Sequence, residues 1–372
     1  MGTSRSERLA AESERLIAAG VAGNVFPGAV AAISFREPNG KLECVLACGG
    51  VVMPGGKAVE PETPFDLASL TKPVFAAAAL RIIARGTVQF ETRPEQLVAD
   101  ARGTAGGTAT LEQLLTHRSG LAAWGGLYLD VPHDPGSSAA RRWIFGEACR
   151  RTDDDAAGKS LYSDLGYIVA GEAIARATGR ELDELLALEV LTPLGLDDRH
   201  LCYAAALAAD RLGELQRKAA ATERDEWRGR LLRGEVHDEN CYAFGGVSGH
   251  AGMFGTARGV AAFARGYLDA SQGRSSFLPK AIVDRALAAR PGGSHRLGWD
   301  TKAGPESAAG RRASAKTFGH LGFTGTSVWC DPERDLVVAL LTNRVCPSRA
   351  NEKIRGFRPA FYDGVFALFD AG

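Results

Sequence analysis

ASLTKPVF, residues 68–75, is followed by a run of good helix formers that Gly86 closes. This pattern predicts a helix with Ser69 as its N-cap. A capping box would place Glu or Gln three residues after the cap, because a helix N-terminus carries partial positive charge. The sequence has Lys72 instead, which should cost about 0.3–1 kcal/mol relative to a neutral residue. A lysine here therefore needs a reason other than helix stability.

Ser69 and Lys72 are also a possible nucleophile and base. Residues three apart on a helix share a face, with Cβ atoms about 5–6 Å apart, so the amine can reach the hydroxyl. Serine is a poor nucleophile without a neighbouring base, and we expect burial and the helix end to lower the pKa of Lys72. Pro73 suits the first helical turn, where backbone N–H groups can face an oxyanion. The alternative is an ordinary cap followed by a solvated lysine, because S-x-x-K alone is a weak pattern.

Bulk composition excludes several classes of protein. The chain has 372 residues, and its 44 basic and 44 acidic side chains balance, which argues against a dedicated nucleic-acid binder or a polybasic membrane-surface protein. No apolar run approaches the roughly 18 residues of a membrane span. Residues 1–20 predict a charged amphipathic helix without the apolar block of a secretory signal, so we expect a cytoplasmic protein. The seven cysteines have no metal-binding spacing and are expected to be reduced thiols.

The two chain ends carry the strand signals. Apolar runs at 28–35 and 42–52 are separated by a turn containing Asn-Gly, which predicts a hairpin. Runs at 326–331 and 336–343 predict a second hairpin, and residues 351–369 a final helix. Helical patterns dominate the middle of the chain, including a long one over 207–232.

These signals predict an α+β fold, an α/β sandwich in which helices flank an antiparallel sheet built from both chain ends. We expect a discontinuous sheet domain of residues 1–68 and 245–372. A mostly helical domain of residues 69–244 is inserted into it, with the active site at the interface. The sequence does not indicate an oligomeric state.

Three motifs resemble those of the serine β-lactamase and penicillin-binding-protein superfamily. FDLASLTK, residues 65–72, resembles the first motif, in which S-x-x-K carries the nucleophile and its lysine. Tyr162-Ser163-Asp164, at the start of a predicted helix, is similar to the Tyr-x-Asn motif of the class C-like branch. His320-Leu321-Gly322 resembles the third motif, Lys-Thr-Gly or His-x-Gly on a strand. Further similar segments at 111–121 and 245–264 extend the resemblance over nearly the whole chain.

The second motif has another interpretation. Ser163-Asp164 could begin a Ser-Asp-Asn element of the class A type. Leu165 stands where that element needs Asn, and Tyr162 precedes the pair, so we prefer the Tyr-first interpretation.

The resemblance implies a β-lactamase/transpeptidase-like fold and a role for each motif residue. Ser69 attacks a carbonyl to form an acyl-enzyme, and Lys72 and Tyr162 transfer protons. Tyr162 needs nearby cations such as Lys72 to lower its pKa if it is to act as a base. The other implied roles are as follows: backbone N–H groups of Ser69 and Phe323 form an oxyanion hole, Gly322 lets the strand approach the substrate, His320 hydrogen-bonds the site or substrate, and Asp164 positions Lys72 or the substrate. Neither a cofactor nor a metal ion is implied.

Two departures from the family pattern bear on function. Asp164 stands where asparagine is commoner, and an ionised aspartate offers no donor to a substrate amide. His320 replaces a lysine and weakens the fixed positive charge there. We therefore interpret the chain as a serine hydrolase, an esterase or β-lactamase-like enzyme, acting on a small-molecule ester, amide or β-lactam-like substrate. The alternatives are a D,D-carboxypeptidase or penicillin-binding protein, a D-aminopeptidase, or a silent binding protein of the same fold. Intact Ser69, Lys72 and Tyr162 argue against the last of these.

Other polar and aromatic residues are less informative. Structural roles are favoured over catalytic ones for His117 and His250. His237, Asp238, Glu239 and Asn240 could bind a metal, but a loop hydrogen-bond network is favoured, because no second ligand set has recognisable spacing. Trp124 is interpreted equally well as a cleft-lining or a packed aromatic residue.

Overall fold

A six-stranded antiparallel sheet forms the framework of the fold in the computed structural model, which describes residues 4–153 and 159–371. Its strands, in chain order, are β1 (Gly28–Arg36), β2 (Leu42–Gly50), β8 (Asp300–Thr301), β9 (Phe318–Leu321), β10 (Ser327–Asp331) and β11 (Leu336–Thr342). The spatial order is β2-β1-β11-β10-β9-β8, so the first and last hairpins of the chain lie side by side. The short strands β3 (Phe65–Asp66), β4 (Leu201–Tyr203) and β7 (Met253–Gly255) form a second sheet, and β5 (Arg224–Asp225) pairs with β6 (Arg230–Leu231).

Helices cover the main sheet and fill the middle of the chain. Their bounds are α1 (Arg5–Ala22), α2 (Thr71–Ala84), α3 (Ala105–Thr108), α4 (Leu111–Leu115), α5 (Leu127–Asp130), α6 (Ser138–Arg150), α7 (Asp164–Thr178), α8 (Leu182–Leu186), α9 (Thr192–Leu194), α10 (Ala209–Lys218), α11 (Glu239–Phe244), α12 (Ala257–Ser271), α13 (Lys280–Leu287) and α14 (Ile354–Asp370). Residues 1–3 of the predicted N-terminal helix lie outside the described residues. Within those residues, every helix is too short or too polar to cross a bilayer.

Both faces of the central strands of the main sheet, β1, β10 and β11, are buried. Successive side chains of a strand point to opposite faces, and every residue of β11 is buried. Val338 and Leu340 pack in a core that includes Phe361 of α14. Val337 and Ala339 belong to a second core that continues into α2 and α12. This layering confirms the α+β prediction and both predicted hairpins.

The segment before α2 connects the small sheet to the nucleophile motif. β3 pairs with β7, and the Leu67 N–H donates to the Met253 carbonyl at 2.9 Å. A 3₁₀ turn, Ala68–Leu70, then leads directly into α2. Because α2 is apolar on nearly all sides, it is buried in the core, and the turn that precedes it lines a cleft.

The prediction that Ser69 caps this helix is wrong. The α-helical hydrogen bonding begins at Thr71, and no side chain caps either the 3₁₀ turn or α2. The Asp66 carboxylate holds the turn instead, since its Oδ1 accepts from the Ala68 N–H at 2.8 Å. The hydroxyl of Ser69 is therefore not used for capping.

The long helix predicted over 207–232 is also only partly formed. It ends at Lys218, and the remainder forms a loop and the β5–β6 ribbon. The backbone N–H groups of Ala220 and Ala221 donate to the carbonyls of Pro64 and Val52. These buried tertiary hydrogen bonds replace the intrahelical ones that the alanine-rich pattern predicts.

Candidate active site

Ser69 and Lys72 are in contact at the N-terminal end of α2. Lys72 Nζ donates to Ser69 Oγ at 2.9 Å, and the lysine is completely buried, with 0% of its surface exposed. The ammonium also forms an ion pair with Asp164 Oδ1 at 2.6 Å and donates to the His250 carbonyl at 3.3 Å. The Tyr162 hydroxyl also hydrogen-bonds this ammonium, so four acceptors surround a group that has three donors.

The pKa of Lys72 is raised, contrary to the expected lowering. Burial lowers this pKa, but the nearby Asp164 carboxylate and Tyr162 hydroxyl together outweigh burial. The lower pKa was expected from burial and the helix end alone, because the sequence does not show how close Asp164 lies to Lys72. Lys72 is therefore an ammonium ion in the resting site at neutral pH.

Tyr162 and Asp164 approach the same point from α7. Ser163 is the N-cap of this helix, and its Oγ accepts from the Gly166 N–H at 3.1 Å. Tyr162 therefore lies just before the helix, with its ring centroid 4.8 Å from Lys72 Nζ. His117 supports the segment, since its Nδ1 accepts from the Ser163 N–H at 2.9 Å and its ring centroid lies 4.5 Å from that of Tyr162.

The Tyr162 phenol is also protonated in the resting site. Burial raises its pKa, and this outweighs the lowering effect of the Lys72 charge and of hydrogen bonds with Lys72 and Ser69. Lys72 lowers this pKa as expected, but burial outweighs the lowering, so the net pKa of Tyr162 is raised. At rest, a charged lysine thus stands beside a neutral tyrosine.

The third motif lies at the end of β9. His320 Nδ1 donates to the Leu321 carbonyl at 2.8 Å, which leaves Nε2 as an acceptor. Burial, with a contribution from the Lys72 charge, lowers the pKa of His320 to about 3, so the ring is neutral at pH 7. A Cβ on Gly322 would lie 2.0 Å from Thr326 Oγ1 and 2.6 Å from the Leu67 carbonyl oxygen. Gly322 therefore packs directly against Leu67, in the segment before Ser69, and a larger residue at position 322 would clash there.

A cleft of about 610 Å³ opens over these residues. All the motif residues singled out from the sequence line it except Lys72, which lies beneath: Ser69, Tyr162, Asp164, His320, Gly322 and Phe323. The Phe323 ring is 49% exposed and stacks on His237 at a centroid distance of 5.6 Å. Trp124, 48% exposed, also lines the cleft. The volume of the cleft suits a small molecule.

The polar residues 237–240 form hydrogen bonds and ion pairs. These pairs are His237 with Glu223, Asp238 with His250, Glu239 with Arg349, and Asn240 with Tyr128. Over the described parts of the chain, no group of three or more His, Cys, Asp or Glu side chains is arranged to hold a metal ion.

Sequence reasoning missed several residues that shape the site. Asp66 is buried and accepts from the backbone N–H groups of Ala68 and His237. It thereby holds Ala68 at a φ of 46°, which is uncommon for a non-glycine residue, directly before Ser69. The position of Asp66 within FDLASLTK, three residues before Ser69, is a sequence signal for a role in the site. The ring centroid of His295 lies 5.5 Å from that of Tyr162, but no pattern in its loop indicates this.

Acid is expected to destabilise the protein through buried neutral histidines. The pKa of His320 is about 3 when folded and 6.5 in its ordinary state. As the pH falls, the unfolded chain therefore takes up the proton before the folded protein does. The free energy of unfolding is highest above about pH 6.5 and decreases as the pH falls towards 3. For His320 alone, the free energy of unfolding should fall by about 2 kcal/mol between pH 7 and pH 5. Urea unfolding at both pH values should show a smaller loss for His320→Asn, whereas equal losses would contradict this cause.

The fold and site define a serine hydrolase of the β-lactamase and penicillin-binding-protein class. Residues 14–357 match the Beta-lactamase family, and the chain belongs to that family. It is 29% identical to the N-acetylmuramyl-L-alanine amidase of Bacillus subtilis (strain 168) over 364 residues, covering 89% of this chain and 79% of the relative. It is also 29% identical to a putative D-alanyl-D-alanine carboxypeptidase of Escherichia coli (strain K12) over 334 residues, covering 80% and 72%.

Solved structures share the fold at lower identity. EstCE1, described as a hydrolase with promiscuous acyltransferase activity, superimposes with a TM-score of 0.75 at 19% identity, over 97% of this chain and 99% of that one. Simvastatin synthase (LovD) from Aspergillus terreus superimposes with a TM-score of 0.72 at 20% identity, over 98% and 99%. These similarities confirm the predicted fold family.

Proposed function

We propose that this protein cleaves a small-molecule ester or amide through an acyl-enzyme on Ser69. The main support is the 2.9 Å contact of the buried Lys72 ammonium with Ser69 Oγ, next to Tyr162 and below an open cleft. The burial of Lys72 against a serine and a carboxylate argues against the alternative of an ordinary solvated lysine, because burial of a charge is costly unless the charge is paired.

In this proposal Tyr162 is the base and Lys72 controls it. The lysine donates to Ser69 Oγ, so the serine's own proton points away from the amine and towards another acceptor. Tyr162 accepts that proton once its phenol has lost its own, and the adjacent ammonium stabilises the phenolate. Asp164 keeps the ammonium charged and in place. Because the active form has one proton fewer than the resting form, kcat/KM should rise with pH above neutrality.

Backbone N–H groups stabilise the tetrahedral intermediate in this scheme. The donors are the amides of Ser69 and Phe323, on either side of the cleft floor. Two such donors are worth several kcal/mol in the transition state, since loss of one typically costs about 3 kcal/mol. Neutral His320 presents Nε2 as an acceptor for a substrate N–H or O–H.

A D,D-carboxypeptidase is the second candidate. Arg349 and Arg355 line the cleft, but each is paired with glutamate side chains, Arg349 with Glu223 and Glu239 and Arg355 with Glu352, so the support for this candidate comes from a relative. The similarity to the putative D-alanyl-D-alanine carboxypeptidase supports this reading.

A panel of substrates tests the function. The purified protein is incubated with p-nitrophenyl acetate and butyrate, nitrocefin and a D-Ala-D-Ala peptide, and with a fluorophosphonate probe followed by mass spectrometry. We expect ester turnover and a probe adduct on Ser69. Peptide turnover that exceeds ester turnover would favour the carboxypeptidase, and nitrocefin turnover alone a β-lactamase. No turnover and no adduct would leave only the silent binding protein.

We also propose a cytoplasmic location. All seven cysteines are free thiols, which suits a reducing compartment. Cell fractionation followed by thiol titration tests this proposal, and recovery in an oxidising compartment would contradict it.

A further inference from the structure

Two buried arginines hold the turn that carries Phe323. Arg358 of α14 donates from Nη2 to the carbonyls of Gly322 and Thr326, each at 2.8 Å. Arg344 donates from Nε and Nη2 to the Phe323 carbonyl at 2.9 and 2.6 Å. Each arginine is only 7% exposed. The carbonyls of Gly322 and Phe323, two successive residues of one short turn, are therefore each bound by a guanidinium group.

These cations have no carboxylate partner. Over residues 4–153 and 159–371, neither Arg344 nor Arg358 forms an ion pair, and Arg358 Nε has no hydrogen-bond partner. Burial, with a contribution from Arg344, lowers the pKa of Arg358 to about 10. A buried charge without a counter-charge is costly. Its presence beside the cleft suggests that negative charge develops nearby during the reaction.

Peptide geometry shows how Arg358 acts on the site. In a planar trans peptide the C=O and N–H groups point in opposite directions, and Cys346-Pro347 is the one cis bond among the described residues. Binding of the Gly322 carbonyl by Arg358 therefore directs the Phe323 N–H to the opposite side. No hydrogen bond within the described parts of the chain uses that N–H, so it is available to a ligand.

The turn is also tied to the segment before the nucleophile. Thr324 Oγ1 donates to the Asp66 carbonyl at 2.7 Å, and Thr326 Oγ1 donates to the Leu67 carbonyl at 3.0 Å. These bonds set the distance between the Phe323 and Ser69 backbones. The remaining freedom is rotation of the Gly322–Phe323 peptide plane. The Gly325 N–H, which donates to the Gly322 carbonyl at 3.1 Å, and the shorter bond from Arg358 together restrict it.

We propose that Arg358 is a positioning residue that fixes and polarises the Gly322–Phe323 peptide, so that the Phe323 N–H is pre-oriented towards the oxyanion. This inference rests on the acyl-enzyme function proposed above. A charge-assisted hydrogen bond to the carbonyl strengthens the N–H of the same peptide as a donor. Donors oriented in advance need no reorganisation when charge develops on the substrate.

The test compares Arg358→Met and Arg358→Lys with the wild type. Single-turnover acylation by a p-nitrophenyl ester should slow by about 10- to 100-fold in Arg358→Met, with little change in KM. Arg358→Lys should recover part of the rate, because an ammonium can still donate to the Gly322 carbonyl. In the acyl-enzyme made from a ¹³C-carbonyl ester, the infrared C=O band of Arg358→Met should move to higher wavenumber, since a weaker oxyanion hole polarises the carbonyl less.

Arg265→Met is the matched control. Arg265 of α12 is also buried and donates to a backbone carbonyl, that of Ser34 in β1, although unlike Arg358 it also has a carboxylate partner, Asp335. Its loss should lower stability while leaving the acylation rate of the folded protein and the carbonyl band unchanged.

The possible failures are distinguishable. A wild-type rate and an unshifted carbonyl band in Arg358→Met would overturn the role of Arg358 while leaving the acyl-enzyme on Ser69 intact. If Arg358→Met does not fold, Arg358→Lys serves as the test, because its ammonium offers only a single-point donor. A wild-type acylation rate and a wild-type carbonyl band in Arg358→Lys would then overturn the role of Arg358. Absence of an acyl-enzyme in the wild type would overturn both proposals.

Discussion

Ser69→Ala is expected to abolish acyl-enzyme formation and to lower kcat/KM for a p-nitrophenyl ester by about 10⁶-fold. The reason is that the hydroxyl is the nucleophile, and the surrounding donors cannot replace the covalent step. Steady-state hydrolysis and intact-protein mass spectrometry after addition of ester measure the two effects. The substitution removes one acceptor of Lys72 and no capping bond, so the variant should remain folded.

Ser271→Ala controls for the loss of a serine hydroxyl elsewhere. Ser271 lies at the end of α12, where its Oγ donates to the Leu268 carbonyl. Hydrolysis and acyl adduct formation should match the wild type in this variant. A retained adduct in Ser69→Ala would show that another residue is the nucleophile.

Lys72→Met is expected to lower kcat/KM by about 10³-fold, the range for loss of proton-transfer assistance. Methionine has a similar length but no charge, so the stabilisation of the Tyr162 phenolate is lost. The alkaline rise of kcat/KM should therefore move to higher pH, because the Lys72 charge is one of the groups that lower the pKa of Tyr162. A pH–rate profile of both proteins measures this shift, which a purely structural role of Lys72 would not produce.

The same substitution should also reduce stability. It leaves Asp164 without its cation, and removing one partner of a buried ion pair typically costs about 3–5 kcal/mol. The double variant Lys72→Met/Asp164→Asn removes both charges and should recover much of the stability in urea unfolding, but none of the activity. Recovery of activity in the double variant would contradict the assigned role of Lys72.

Local patterns were sufficient to predict much of this protein. Helix spacing brings Ser69 and Lys72 together over a single turn, and the Asn-Gly turn and apolar runs specify the hairpins, because these features depend on residues close in the chain. The order of the three motifs, with Tyr162 and His320 far apart in sequence, indicated the site through its resemblance to a family.

The tertiary structure alone decided the electrostatics and the support of that site. The net pKa shifts of Lys72 and Tyr162 depend on their burial and on the 2.6 Å distance from Lys72 Nζ to Asp164, and no pattern in the chain gives such a distance. Asp66 rather than Ser69 stabilises the turn before α2, and the turn at Phe323 is held by Arg344, which follows β11, and by Arg358 of α14, neither of which belongs to a motif. Coulomb energies and hydrogen bonds vary with the separation of atoms in space, so residues distant in sequence acquire these roles only when the chain folds.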